Sequence, residues 1–104
     1  MGPQLGRDLV AEVVGAYVGQ AETHLHALRT ALADAADTPL TRTAHTLKGS
    51  SATVGASALA ALCAQLEQPL PWPRRADLVG QVHEELTAVT AALAAVRDRA
   101  PATA

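Results

Sequence analysis

Phenylalanine is absent from this chain of 104 residues, and Tyr17 and Trp72 are its only aromatic side chains. A β-sandwich or barrel draws on aromatic and β-branched residues, so this scarcity turns the reading away from all-β folds. Cys63 is the single cysteine, which excludes a disulfide framework and any all-cysteine metal site. Basic charge is not in excess: 8 Lys and Arg stand against 10 Asp and Glu, for a formal net charge of −2. A nucleic-acid binder carries a basic stripe, and none is present. No apolar run approaches the roughly 20 residues a membrane span needs, so no direct membrane contact is expected. Arg7 and Asp8 interrupt the N-terminus before any apolar run begins. No signal-peptide pattern forms there, and the cytoplasm is the expected compartment.

What is abundant is alanine, at 24 positions. With 49% hydrophobic and 17% charged residues, the composition is globular. Alanine is the strongest helix former and lets helix axes approach closely. The length suits one small domain, residues 1–104, too small to hold a deep catalytic cleft. The chain shows no internal repeat.

Hydrophobic periodicity marks out the helices. From about Arg7 to Ala35, the positions Val14, Val18, Ala21, Leu25, Leu28 and Leu32 keep to one face. Asp34, Asp37, Thr38 and Pro39 form a stop and restart, with Thr38 able to cap and Pro39 suited to a first turn. Leu40, Ala44, Leu47, Ser51 and Val54 then make a second stripe, and Gly55 turns the chain. Leu59, Leu62, Cys63 and Leu66 carry a third, ended by Pro69, Pro71 and Pro73, with Trp72 in that loop covering one end of the fold. The last helix spans about Asp77 to Arg99, on Val79, Val82, Leu86, Val89, Leu93 and Val96, and the residues from Pro101 on are expected to fray. Four amphipathic helices with short loops predict an all-α, antiparallel four-helix bundle over about residues 7–99.

The chemistry lies on the second helix. His45, Lys48, Gly49 and Ala52 form a stripe of their own, offset from the core stripe and therefore exposed. Lys48 is the only lysine in the chain, and Gly49 sits where a mid-helix glycine costs stability. A neutral imidazole is a nucleophile near pH 7, and a cation one turn away can steady an incoming phosphoryl group. A glycine beside the histidine lets another protein's surface come close. Arg42 lies one turn before His45, and Ser50 and Ser51 are small residues able to bond locally. For one ring nitrogen to attack, the other must be held as N–H by an acceptor. His45 lies ten residues before Gly55 and Glu67 twelve after, so an antiparallel hairpin brings them to similar heights. Glu67 is the first candidate acceptor, with Gln65 and Gln68 as alternatives should the register slip. His24 and His26 point to different helix faces and make no metal site, His83 stands alone, and Cys63 falls on a core stripe.

The run Ala44-His45-Thr46-Leu47-Lys48-Gly49-Ser50-Ser51, followed by Val54-Gly55-Ala56, Leu59, Leu62 and Leu66-Glu67, resembles the histidine-containing phosphotransfer (HPt) domain family. That resemblance implies a four-helix bundle whose histidine takes a phosphoryl group from a receiver-domain aspartate or a kinase and passes it on. It implies His45 as phospho-acceptor, with Lys48 beside it and Glu67 in the place of the family's histidine-orienting carboxylate or amide. Gly49, Ala52, Arg42 and Ser50 are then the expected partner surface. Many members carry a short extra helix before the bundle and Phe residues in the first long helix, where this chain has Tyr17 alone.

A sensor-kinase dimerisation helix also bears a phospho-accepting histidine, but it places an acid next to that residue and a proline soon after. Here Thr46 follows, and no proline. No Gly-x-x-x-x-Gly-Lys run and no carboxylate cluster for Mg²⁺ is present, so no autonomous kinase or ATPase activity and no intrinsic cofactor is expected. Mg²⁺ is expected on the partner, a receiver domain of a response regulator or of a hybrid sensor kinase, met by a monomer. The other reading is a helical module that binds a receiver without phosphotransfer.

Overall fold

A computed structural model describes residues 4–99 of the chain. Four helices follow one another: α1 (Gln4–Ala33), α2 (Asp37–Thr53), α3 (Ser57–Leu66) and α4 (Trp72–Arg99). Helix α1 packs on α2 and α4, and α3 packs on the same two, so each helix has two neighbours in an up-down-up-down bundle. The described residues form a rod of 53 × 18 × 17 Å. The tail from Pro101 lies outside them.

Leucines fill the centre. Leu28, Leu40, Leu47, Leu59, Leu66 and Leu78 are fully buried with Val82 and Cys63. Ala21, Ala31 and Ala44 are buried among them and bring the helix axes together where no ring is available to fill space. The face of α1 is turned slightly from the expected stripe. Tyr17 and Ala31 are buried, whereas Val18 and Leu32 are only partly so. Tyr17 takes the inward position because its hydroxyl finds the buried Ser51 hydroxyl at 2.9 Å. Burial pushes the Tyr17 phenol up, partly offset by that hydrogen bond. At the far end of α4 Val96 is half exposed, since α1 and α4 outrun the α2–α3 hairpin.

Both α1 and α2 end in the same way. Ala36 N–H donates to the Ala31 carbonyl at 2.9 Å and Ala35 N–H to Leu32 at 3.1 Å. Ala56 N–H donates to Ser51 at 2.8 Å and Gly55 N–H to Ala52 at 3.1 Å. These are paired six-to-one and five-to-two bonds, which require a left-handed residue at the turn. Gly55 takes it at φ 81 and Ala35 at φ 49. Glycine does so without steric cost; alanine does not.

The starts of α2 and α4 differ from the sequence expectation. Helix α2 begins at Asp37, after Ala36 as N-cap, so Thr38 is inside the first turn and does not cap. Asp37 there faces the positive end of the helix dipole. Helix α4 begins at Trp72, not Asp77: Trp72 and Pro73 are its first residues and not part of a loop. Proline needs no N–H partner in a first turn, so it opens this helix as well as closing the stretch before it. Arg75, 5% exposed, holds the two starts together. Its guanidinium lies 2.6 Å from the Asp37 carboxylate and stacks over the Trp72 ring at 4.5 Å. Trp72 itself is half-buried against the core at this end of the bundle. His83 does not stand alone either, as Arg29 on α1 reaches its Nδ1 at 2.6 Å.

Relieving the left-handed alanine should stabilise the bundle. Ala35→Gly is expected to add up to about 1 kcal/mol, less the extra unfolded-state entropy of glycine. Urea unfolding of the two proteins measures it, and an equal or lower midpoint for the variant would show that the strain at Ala35 does not exceed the entropic cost of glycine.

Candidate functional site

The hairpin of α2 and α3 builds the site. Leu40, Ala44, Leu47 and Ser51 face inward along α2, which turns His45, Lys48, Gly49 and Ala52 outward. Gly55 reverses the chain, and α3 runs back along α2 until Glu67 caps its C-terminal end. Leu59, Cys63 and Leu66 fix the rotation of α3 and leave Glu67 at the edge facing α2.

His45 and Glu67 meet. Nδ1 of the imidazole lies 2.7 Å from Glu67 Oε1, across 22 residues of sequence. The His45 side chain is 70% exposed, against 21% for Glu67. The other carboxylate oxygen, Oε2, lies 2.6 Å from Lys48 Nζ. One carboxylate thus holds two side chains of α2 that are one helical turn apart. Of the two alternatives, Gln65 is occupied by Arg74, whose Nη2 donates to Oε1 at 3.4 Å, and Gln68 is exposed.

The charges dictate the tautomer. The hydrogen bond from Lys48, and after it that from His45, hold the Glu67 carboxyl below its ordinary value. It is therefore ionised at neutral pH and can only accept hydrogen bonds. The hydrogen between it and His45 must then belong to Nδ1. In the neutral ring, this leaves the lone pair on Nε2 of a side chain that is mostly exposed. No protein hydrogen bond to Nε2 is present among the described residues.

The remaining candidates make no side-chain hydrogen bond or ion pair to the histidine among the described residues. Arg42 is exposed one turn before, and Ala52 is exposed beyond Gly49. Ser50 is half-buried and turns its hydroxyl to the Leu47 carbonyl at 3.2 Å, a bond within the helix. Gly49 is not a packing glycine: a Cβ built on it meets nothing within 4 Å. The space over it is open to solvent.

Two contacts have no counterpart in the spacing argument. Lys48 was expected as a free cation for an incoming group, yet its ammonium rests on Glu67. The Tyr17–Ser51 bond beneath the site was also unforeseen; the inward position of Ser51 in a leucine stripe was its one sequence signal. Cys63, one turn before Glu67, is buried, and burial with the nearby carboxylate pushes its thiol up to about 12. It takes no part in nucleophilic chemistry at neutral pH.

Comparison with known proteins gives two findings. Residues 12–99 match the family model of the Hpt domain. Among solved structures the chain is similar to histidine-containing phosphotransfer protein B (HptB) from Pseudomonas aeruginosa PAO1, with 29% identity and a TM-score of 0.77. The match covers 84% of this chain and 78% of that one. No match is found among curated proteins.

The Glu67 contacts give acid sensitivity of a defined sign. The carboxyl titrates lower in the folded chain than its ordinary 4.5, so its contribution is present above that value and is lost as pH falls through the folded one. Thermal melts of wild type and Glu67→Gln between about pH 6 and pH 3 should converge on acidification. A constant difference across that range would mean the ion pair contributes nothing to stability.

Proposed function

The chain belongs to the Hpt domain family, the histidine phosphotransfer carriers of phosphorelays, and we propose that His45 is its phospho-acceptor. Domains of this family carry phosphoryl groups and are not kinases. The observation that carries the assignment is the 2.7 Å contact of His45 Nδ1 with an ionised Glu67, which leaves Nε2 with a lone pair and an open approach.

In the transfer, Nε2 forms a bond to phosphorus. The bond from phosphorus to the carboxylate oxygen of a receiver aspartate breaks, and the electron pair leaves with that carboxylate. No proton needs to move. Nδ1 keeps its hydrogen, and the positive charge that the ring acquires faces the Glu67 carboxylate. Acyl phosphate and phosphohistidine are both high in energy, so the step runs readily in reverse, onto a second receiver. Mg²⁺ and most of the transition-state electrostatics come with the receiver, and this chain has no kinase or ATPase activity of its own. Gly49, Ala52, Arg42 and Ser50 form the approach surface, in a docking that is transient and modest in area. The partner is a receiver domain of a response regulator or hybrid sensor kinase, met by a monomer in the cytoplasm. No helix among the described residues is long and apolar enough to cross a membrane.

Incubation with a panel of phosphorylated receiver domains, read by intact mass, should yield an acid-labile adduct that His45→Gln abolishes. An adduct that survives in His45→Gln sinks the assignment. A folded chain that binds a receiver and takes no phosphoryl group from any would be a binding module instead. Gly49→Ala should separate stability from function. Its Cβ meets open space, so it should stabilise the helix by up to about 1 kcal/mol while slowing transfer from the receiver. Unslowed transfer in that variant removes Gly49 from the approach surface.

A further inference from the structure

We propose that the Arg42 guanidinium, one turn of α2 before His45, holds the phosphoryl group in the phosphorylated chain. The inference rests on His45 being the phospho-acceptor and deepens that reading. It gives Arg42 a task in the free phospho-form, after the receiver has left.

The other basic side chains that the structure describes are all engaged. Arg29 reaches His83, Lys48 reaches Glu67 and Arg75 reaches Asp37, each at 2.6 Å. Arg74 donates to Gln65 at 3.4 Å, Arg97 pairs with Asp98 at 3.3 Å, and Arg99 donates to the Ala95 carbonyl at 3.2 Å. Arg42 is exposed, and its guanidinium has no hydrogen bond or ion pair among the described residues. Its neighbours one turn either way along α2 are Thr38, Pro39, His45 and Thr46, and none is acidic. Five N–H donors therefore stand beside the histidine without an acceptor.

The donors around it are committed elsewhere. Thr46 Oγ1 donates to the Arg42 carbonyl and Ser50 Oγ to the Leu47 carbonyl, each at 3.2 Å. The Lys48 ammonium is matched by Glu67, so that pair is neutral overall. A phosphoryl group on Nε2 brings about two negative charges. Arg42 is the cation on this face with no anion of its own.

The placement suits the task. Residues three apart on a helix are neighbours, about 5–6 Å apart at Cβ. Side chains on a helix tilt toward its N-terminus, which is the direction of Arg42 from His45. A guanidinium can then meet two phosphoryl oxygens with two parallel N–H bonds. No bond to phosphorus forms or breaks at Arg42. It supplies charge and donors to a group that His45 already carries.

This role has a thermodynamic signature. A cation that holds the group on the free chain favours phosphohistidine over the receiver's acyl phosphate. A cation that only docks the receiver changes the forward and reverse rates by the same factor and leaves their ratio alone. The experiment measures the second-order rate constants in both directions, from phosphorylated receiver to chain and from phosphorylated chain to receiver. Arg42→Met should lower the forward-to-reverse ratio by about fivefold, the upper end for one exposed ion pair. Arg42→Lys, which keeps the charge without the fork, should recover part of it. Phosphorus-31 NMR of the isolated phosphorylated chain is an independent readout. The second ionisation of the phosphoryl group should lie about half a unit higher in Arg42→Met, because the dianion has lost its cation. Equal losses in the two directions, or an unmoved ionisation, overturn the proposal and leave Arg42 as a docking residue. Absence of any adduct on the wild-type chain, from receivers or from phosphoramidate, is a different result. It overturns the His45 reading and this proposal with it.

Discussion

Everything at the site depends on the register of one hairpin. Glu67 reaches His45 because α3 runs back along α2 at a fixed height, and that height is set where Gly55 adopts φ 81. The bonds from Ala56 to Ser51 and from Gly55 to Ala52 lock the turn. Leu47, Leu59 and Leu66, all fully buried, lock the rotation of the two helices about their axes. A shift of one residue in α3 would turn Glu67 by about 100° around the helix and end both of its contacts. The chemistry is thus an outcome of core packing as much as of surface residues.

The scarcity of rings shapes how that packing is achieved. With no phenylalanine, the centre is leucine and valine, and buried alanines at positions 21, 31 and 44 let the helices close in. The single tyrosine compensates by pairing its hydroxyl with Ser51, on the buried side of the same helix that carries His45 outward. Trp72 and Arg75 serve the opposite end, where Arg75 clamps the starts of α2 and α4 through Asp37. The Tyr17–Ser51 and Arg75–Asp37 contacts each engage a residue of α2.

Much of this was legible in the sequence, and the misses have physical reasons. The periodic leucines and valines gave the four helices, because burial repeats at the helical period. The offset of His45 from Leu40, Ala44 and Leu47 gave its exposure, and counting outward from Gly55 gave Glu67. Helix starts were the weak point. Pro73 reads as a breaker, yet it is equally at home in the first turn, and α4 uses it so. Ala35 carries no signal for a left-handed turn, since alanine rarely takes one. The sharing of Glu67 between His45 and Lys48 was hidden because helical spacing puts Lys48 beside His45 but does not say which way a long, flexible side chain leans.

The site residues sit on helices packed along the bundle, with His45 and Lys48 in the middle of α2 and Glu67 on the end of α3. No loop must open and no strand must part for a group to be added at Nε2. By the transfer proposed above, a phosphoryl group would bring about two negative charges on its oxygens and one positive charge on the ring to a chain whose formal net charge is −2. What such a group would change first is the electrostatic potential above α2, the surface that carries His45 outward.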